Sequence, residues 1–227
     1  MVTRTFSTLL CLLGITFASP VAAAEKETWI SLFDGKSNHG WHSFRKKTFP
    51  ETGWKIEDNW FHCLGKNGGD LVSDVEFNNF ELRWEWKQAP GGNSGLKYFI
   101  TEKRASAIGH EYQMIDDERE PDAKLADGKR VTAAFYDVLK PMKTPPIKPA
   151  GEINQSRVVV NGNHVEHWLN GEKVLDYECG SDRIKEAVAH SKFKNVEGFG
   201  EKITGHILLQ DHHSEVWFRN IEVRELK

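Results

Sequence analysis

From residue 80 to 87 the apolar side chains Phe80, Leu82, Trp84 and Trp86 alternate with Glu81, Arg83, Glu85 and Lys87. A period of two predicts a strand with one buried face. The same rhythm recurs along the chain. Trp54 to Ile56 and Trp60 to Leu64 flank Glu57-Asp58-Asn59, which reads as a hairpin turn. Leu96, Tyr98 and Ile100 alternate with Lys97 and Phe99, and a strand over Glu111 to Asp116 follows. Further on, Arg157 to Asn161 and His164 to Leu169 are separated by Gly162-Asn163, and Asn170-Gly171 turns the chain into Lys173 to Tyr177. Asn and Gly tolerate the positive φ that tight hairpins require. Strands over His206 to Gln210 and Val216 to Arg224 close the pattern. One helix is predicted over Asp182 to Lys192, capped by Ser181, with Ile184, Ala187 and Val188 on one face. Many strands, tight turns and almost no helix predict a sandwich or barrel.

The stretch from Lys140 to Ile153 holds four of the eight prolines and little periodicity. It reads as an ordered surface loop, either bordering a site or simply connecting strands. The chain begins as an exported one does. Arg4 is followed by an apolar run from Leu9 to Phe17 and then by Ala22-Ala23-Ala24, the pattern of a signal peptide cleaved after residue 24. Residues 25–227 are then expected to form a single domain without linker or repeat. The apolar run is too short to span a bilayer, so no membrane association is expected after cleavage, and the expected location is secreted, in the periplasm. Cys11 lacks the small residues before it that a lipid attachment site wants.

Charge narrows the partners. There are 30 basic residues against 33 acidic, a formal net charge of −3, and losing Arg4 makes the chain one unit more acidic. That argues against nucleic acid, whose backbone demands a clustered basic face. Eight Trp suit either core filling or stacking on sugars. Cys63 and Cys179 remain in an oxidising compartment, where a disulfide and two free thiols are both open readings.

Ser31-Leu32-Phe33-Asp34-Gly35-Lys36 followed by Gly40-Trp41 resembles the start of the 3-keto-disaccharide hydrolase family. The resemblance continues through Gly69-Asp70-Leu71, Phe80-Glu81-Leu82, Pro90-Gly91-Gly92-Asn93-Ser94-Gly95, Glu111-Tyr112-Gln113, the segment His164 to Gly171, Leu209-Gln210-Asp211-His212 and Val216 to Ile221. It runs from about Trp29 to Leu226. His110 and His213 depart from the family pattern, which has a small or apolar residue or Pro at the first position and often Gly at the second. The resemblance implies a concanavalin A-like jelly-roll β-sandwich of two antiparallel sheets. It also implies action on glycosides whose C3 hydroxyl has been oxidised to a ketone, by 1,2-lyase and hydratase steps that sum to hydrolysis. An upstream sugar 3-oxidoreductase is then required to make the ketone.

A C3 ketone acidifies the hydrogen on C2, and the aglycone on C1 lies β to that ketone. Elimination therefore needs a base of near-neutral pKa, a donor for the enolate oxygen and an acid for the leaving group. His212, at the end of a strand and sharing a face with Gln210, is the candidate base or a metal ligand. Glu111 and Gln113 share a strand face suited to hydroxyl recognition. Lys97 follows a predicted turn at Asn93-Ser94-Gly95 and could hold an enolate, while Asn93 and Ser94 either bind sugar or build that turn. Trp168 shares a face with His164 and Glu166 and is either a sugar platform or core. A divalent metal ion bridging Glu111 and His212 would polarise the ketone, although no ligand spacing demands one. The acidic run Asp116, Asp117, Glu118, Glu120 and Asp122 lacks calcium-loop spacing. A non-catalytic, lectin-like carbohydrate-binding module is the alternative. An endo-glucanase is disfavoured, because no strand carries the closely spaced Glu-x-Asp-x-(x)-Glu acids.

Overall fold

The computed structural model describes residues 28–227, so the expected signal segment, its cleavage point and Cys11 lie outside the described residues. Thirteen strands and one α-helix follow in order. They are β1 (Ile30–Ser31), β2 (Trp41–Ser43), β3 (Trp54–Glu57), β4 (Trp60–Leu64), β5 (Leu71–Phe77), β6 (Phe80–Gln88), β7 (Asn93–Ile100), β8 (His110–Ile115), β9 (Asn154–Asn161), β10 (His164–Leu169), β11 (Glu172–Glu178), α1 (Asp182–Ala189), β12 (Gly205–Leu209) and β13 (Glu215–Glu225). They form two antiparallel sheets. The larger runs β11-β10-β9-β6-β13-β4-β3 with β1 beside β13, and the smaller runs β2-β5-β12-β7-β8. This is the two-sheet jelly-roll sandwich expected from the sequence. No helix among the described residues is long and apolar enough to cross a membrane.

Alternation decides what lies between the sheets. Phe80, Leu82, Trp84 and Trp86 of β6 are each at most 1% exposed and meet Leu96, Tyr98, Tyr112 and Met114 of the smaller sheet in one core. Hairpin turns behave as their residues dictate. Asp58 and Asn59 have φ of 50° and 63°, and Asn170 and Gly171 have 48° and 86°, the paired positive values that match strand twist in a two-residue loop. Cys63 and Cys179 are buried and both free.

Three expectations need correction. The alternation of β7 does not run through to Ile100. Phe99 has φ of 58° and stays in the main core, so Ile100 turns to the other side and packs with Val72 and Leu208. Asn93-Ser94-Gly95 is the start of β7 rather than a turn. The helix stops at Ala189 instead of Lys192, because the Lys192 N–H is drawn to Asp137 Oδ2 at 2.7 Å, an interaction no helix register supplies. The Lys140–Ile153 loop is pinned at Asn170 Nδ2→Pro146 O, 2.7 Å, and Lys148 N→Asn154 Oδ1, 2.9 Å.

The inter-sheet core also holds a polar chain. His167 Nδ1 donates to Ala133 O at 2.9 Å, which leaves Nε2 to accept from Tyr98 Oη at 2.7 Å. Tyr98 Oη then accepts from Tyr177 Oη at 2.7 Å, and Tyr177 Oη accepts from His110 Nδ1 at 2.8 Å. With both histidines neutral, one hydrogen per link places the proton of each on Nδ1. His110 Nε2 is left buried with no partner.

Candidate active site

β7 and β8 lie side by side with Lys97 opposite Glu111 and Gly95 opposite Gln113. Their alternate side chains leave the core and floor a cavity of about 340 Å³ on the outer face of the smaller sheet. Asn93, Lys97, Glu111, Gln113, Gln210 and His212 line it. The structure thus gathers six of the eight sequence candidates in one place.

Glu111 is 5% and Lys97 8% exposed. Their ion pair spans 3.6 Å, and Lys97 Nζ also donates to Ala107 O at 3.4 Å. Gly95 gives the carboxylate its room, because a Cβ there would lie 2.6 Å from Glu111 Oε1. With its amide nitrogen turned to Glu111 Oε1 at 3.0 Å and Ser94 O at 3.2 Å, Gln113 braces the same carboxylate. Gly95→Ala is expected to leave a folded protein, since a flexible side chain is what must move. Displacing Glu111 should nevertheless lower kcat/KM by about 100-fold, the usual cost of a 1 Å misplacement. Parallel melting curves and turnover measurements check this; unchanged turnover would show that the position of Glu111 is immaterial.

Gln210 Oε1 has no partner, so it stands as an acceptor in the cavity wall for a ligand hydroxyl. His212 is exposed at the mouth, beyond the end of β12. Its loop is clamped reciprocally: Asp211 N donates to Asp70 Oδ1 at 2.9 Å, and Gly69 N donates to Asp211 Oδ2 at 3.1 Å. Burial raises the Asp70 carboxyl above the usual carboxylate range, against the pull of Lys97 and His212. His213, where the family often has Gly, sits at φ of 59°, the left-handed region that glycine enters without strain.

The sequence reading missed Tyr136 and Lys192, which complete the walls. Residues 131–139 pair along the free edge of β8, with Ala133 N→Gln113 O at 2.8 Å and Tyr136 N→Glu111 O at 3.1 Å. That covers the edge and sets Tyr136 beside Glu111. Tyr136 Oη donates to Asp122 Oδ2 at 2.8 Å, and Lys192 Nζ stands 4.0 Å over its ring. Burial lowers the proton affinity of Lys192, opposed by Glu111 and Asp137 and assisted by Lys97 and Arg130. Only contacts between distant loops bring these groups here; no local motif signals them.

Two candidates lie elsewhere. Ser94 faces inward and donates to Gln210 O at 2.8 Å, so it ties β7 to the chain after β12. Trp168 belongs to the larger sheet, on its outer face, under the Arg157 guanidinium at 3.9 Å and donating to Glu166 Oε2 at 2.7 Å. It borders a hollow of about 570 Å³ whose charged groups are already committed: Arg83 to Glu222, Arg157 to Glu81 and Arg219 to Glu85, each at 2.7 Å. That surface is a charge ladder on a sheet. The acidic run also has structural work. Asp116 accepts from Gly91 N, Asp117 from Thr132 N, and Asp122 from Arg130 and Tyr136. The Lys140–Ile153 loop contributes nothing to the cavity lining.

Among the described residues no three His, Cys, Asp or Glu side chains come together as a metal site. The nearest cation to Glu111 is Lys97, and an ammonium there competes with a metal ion for the same oxygen. The expected Glu111–His212 pair therefore does not fit a divalent ion.

Comparison with known proteins agrees with this geometry. The chain matches the model of the 3-keto-alpha-glucoside-1,2-lyase-like domain over residues 28–224. It is 33% identical to a 3-keto-disaccharide hydrolase of Bacteroides thetaiotaomicron, over 94% of this chain and 87% of that protein. Among solved structures, a Parabacteroides distasonis protein provisionally assigned as a glycosyl hydrolase aligns with a TM-score of 0.80 at 32% identity, covering 88% of this chain and 94% of that one. A Bacillus licheniformis β-glucanase shares the fold alone, with a TM-score of 0.51 at 9% identity over 90% of this chain and 100% of that one. With a matched domain spanning nearly all the described residues and a cavity built from the segments that carry the match, the chain belongs to the 3-keto-alpha-glucoside-1,2-lyase-like family.

Proposed function

We propose that this protein cleaves 3-keto-glycosides by elimination across C1 and C2 followed by hydration, so that the sum is hydrolysis of the glycosidic bond. The observation that carries the reading is the charge of the cavity. Lys97 and Lys192 face a single lining carboxylate, Glu111. Ordinary glycosidases need two carboxyl groups across the anomeric carbon, and the cavity lining does not offer a second. Two ammonium groups instead suit a reaction in which negative charge develops on a substrate oxygen.

In this reading His212 takes the C2 proton, and the electron pair moves toward the C3 oxygen. Lys97, held by Glu111, faces the resulting enolate. Collapse of the enolate forms the C1–C2 double bond and expels the aglycone. Lys192, whose proton affinity is lowered by partial desolvation at the cavity wall, supplies that proton to the leaving oxygen. Water then adds to C1 while C2 regains a proton, returning the 3-keto sugar. Asn93, Gln113 and the free acceptor of Gln210 hold the hydroxyls. The oxidised sugar must come from a reaction that dehydrogenates a glycoside at C3. Export to the periplasm belongs to the same proposal and rests on the pattern of the first 24 residues.

The test is release of a chromogenic aglycone from a 3-keto-glucoside and from its unoxidised parent. Turnover of the ketone alone is expected, with a primary isotope effect when C2 carries deuterium. Cleavage of the parent would make this an ordinary glycosidase; glycan binding without turnover of either would make it a lectin-like module.

A further inference from the structure

Lys192 is exposed, and a long lysine stem wanders unless its surroundings hold it. Here both of its ends are held, and both holds lead to one residue. At the main chain, Lys192 N donates to Asp137 Oδ2 at 2.7 Å, and Asp137 Oδ1 accepts from Arg130 Nε at 2.7 Å. At the tip, the ammonium stands 4.0 Å over the Tyr136 ring and 5.1 Å from that of Phe193. Tyr136 Oη donates to Asp122 Oδ2 at 2.8 Å, and Asp122 Oδ1 accepts from Arg130 Nη1 at 2.5 Å. One guanidinium therefore bridges two carboxylates. The first fixes the backbone of Lys192 and the second fixes the ring beneath its ammonium. Arginine can do this because its donors form a planar fork, whereas an ammonium is a point charge.

The bridge is firmly set. The side chains of Arg130 and Asp137 are only 20% and 7% exposed, so water competes little for their bonds. Asp137 has φ of 63° and donates its own N–H to Lys129 O at 2.8 Å. A residue other than glycine keeps such a conformation where its surroundings over-determine it. Arg130 does not line the cavity, so it can act on the reaction only through other groups. Resting on the function proposed above, we infer that Arg130 is the positioning residue for Lys192 and, through Asp122 and Asp137, keeps its ammonium where the leaving oxygen departs. A positioned acid matters most for an aglycone that cannot leave as an anion. Methoxide is such a group, whereas nitrophenolate departs without a proton. A slack Lys192 therefore slows the first and spares the second.

The experiment measures kcat/KM for methyl and nitrophenyl 3-keto-glucosides of the same configuration, with Lys192→Met as the reference for a missing acid. Arg130→Lys keeps the charge, so the two carboxylates stay compensated, but its ammonium cannot span both. Asp137→Asn keeps a residue that tolerates positive φ, but its one amide oxygen cannot accept from both Lys192 N and Arg130. Melting curves confirm that each variant is folded. The nitrophenyl-to-methyl ratio is expected to rise at least about tenfold in both and further in Lys192→Met, within the range for a misplaced or missing general acid. An unchanged ratio in both folded variants, with Lys192→Met raising it, overturns the role of Arg130 and leaves the proposed function standing. Equal loss on the two substrates overturns it too, because a purely structural part would not distinguish leaving groups. If Lys192→Met leaves the ratio unchanged, Lys192 is not the acid and the inference falls with that assignment. If the wild type turns over neither 3-keto substrate, the function itself fails.

Discussion

Lys97→Met is expected to lower kcat/KM toward a 3-keto-glucoside by about 10² to 10³-fold, the cost of removing one preorganised group that meets developing negative charge. Methionine keeps the unbranched stem and removes only the ammonium. Two effects then separate. In the proposed reaction the enolate would lose its counter-charge, and Glu111, 5% exposed, loses its partner at 3.6 Å. An uncompensated buried carboxylate destabilises the fold, so Lys97→Met alone should also melt earlier. Adding Glu111→Gln to Lys97→Met removes that second charge and should restore the melting temperature without restoring turnover. His212→Ala is expected to cost about 10² to 10⁴-fold, the range for loss of a positioned general base, with no change in stability because the side chain is exposed. Steady-state kinetics and melting curves on the four proteins decide the matter. Turnover of Lys97→Met or His212→Ala within tenfold of wild type would remove that residue from the chemistry.

A fall from pH 7 to pH 5 is expected to cost this fold about 4 kcal/mol through two histidines alone, each giving about 2 kcal/mol by proton linkage. Burial pushes His110 down to about 3, with smaller contributions from the neighbouring His167 and Arg104, and pushes His167 down to about 4, slightly opposed by its bond to Ala133. In the unfolded chain both titrate near 6.5. Between those limits the unfolded chain binds more protons than the folded one, so stability is complete above about pH 6.5 and is lost as pH falls toward 4 and then 3. The hydrogen-bond chain gives the reason in structural terms. His167 Nε2 must accept from Tyr98 and so cannot carry a proton, while a proton on His110 Nε2 would have no acceptor. His110→Phe separates the two contributions. The site is already walled by Phe99, Phe135 and Phe199, with ring centroids 4.4 to 5.4 Å away. Tyr177 keeps its bond to Tyr98. The variant should lose about half as much as wild type between pH 7 and pH 5, read from urea unfolding at both values. Equal losses would show that His110 takes up its proton in the fold as readily as in the unfolded chain, so that its burial adds no pH dependence.

Much of the site was legible because β-strands alternate. Glu111 and Gln113 two apart, with Lys97 on a neighbouring strand, are the pattern a half-buried sheet imposes; Gln210 and His212 both line the cavity although they lie just beyond the end of β12, where alternation no longer applies. Alternation names the residues that share a face but not the sheet a strand joins or what covers it. Trp168 shows this. Its face was read correctly, since it stands with Glu166 and His164, but β10 belongs to the larger sheet and the cavity to the smaller. Ser94 shows the converse, a polar residue whose partner is a main-chain carbonyl behind the site.

The sequence by itself determined the sandwich. Period-two strands, paired positive-φ turns and a capped single helix are local properties, settled by each residue and its near neighbours. The ordered family motifs likewise marked the strands that floor the cavity. Tertiary structure alone decided its walls and its charge. Tyr136 reaches Glu111 because residues 131–139 zip along the edge of β8, and Lys192 reaches the cavity because Asp137 draws its N–H out of the helix. The loop that carries His212 is set by a hydrogen bond from Asp211 N to Asp70, 141 residues away. These groups meet through long-range hydrogen bonds between loops, whose positions the folded sheets set and no stretch of sequence encodes locally.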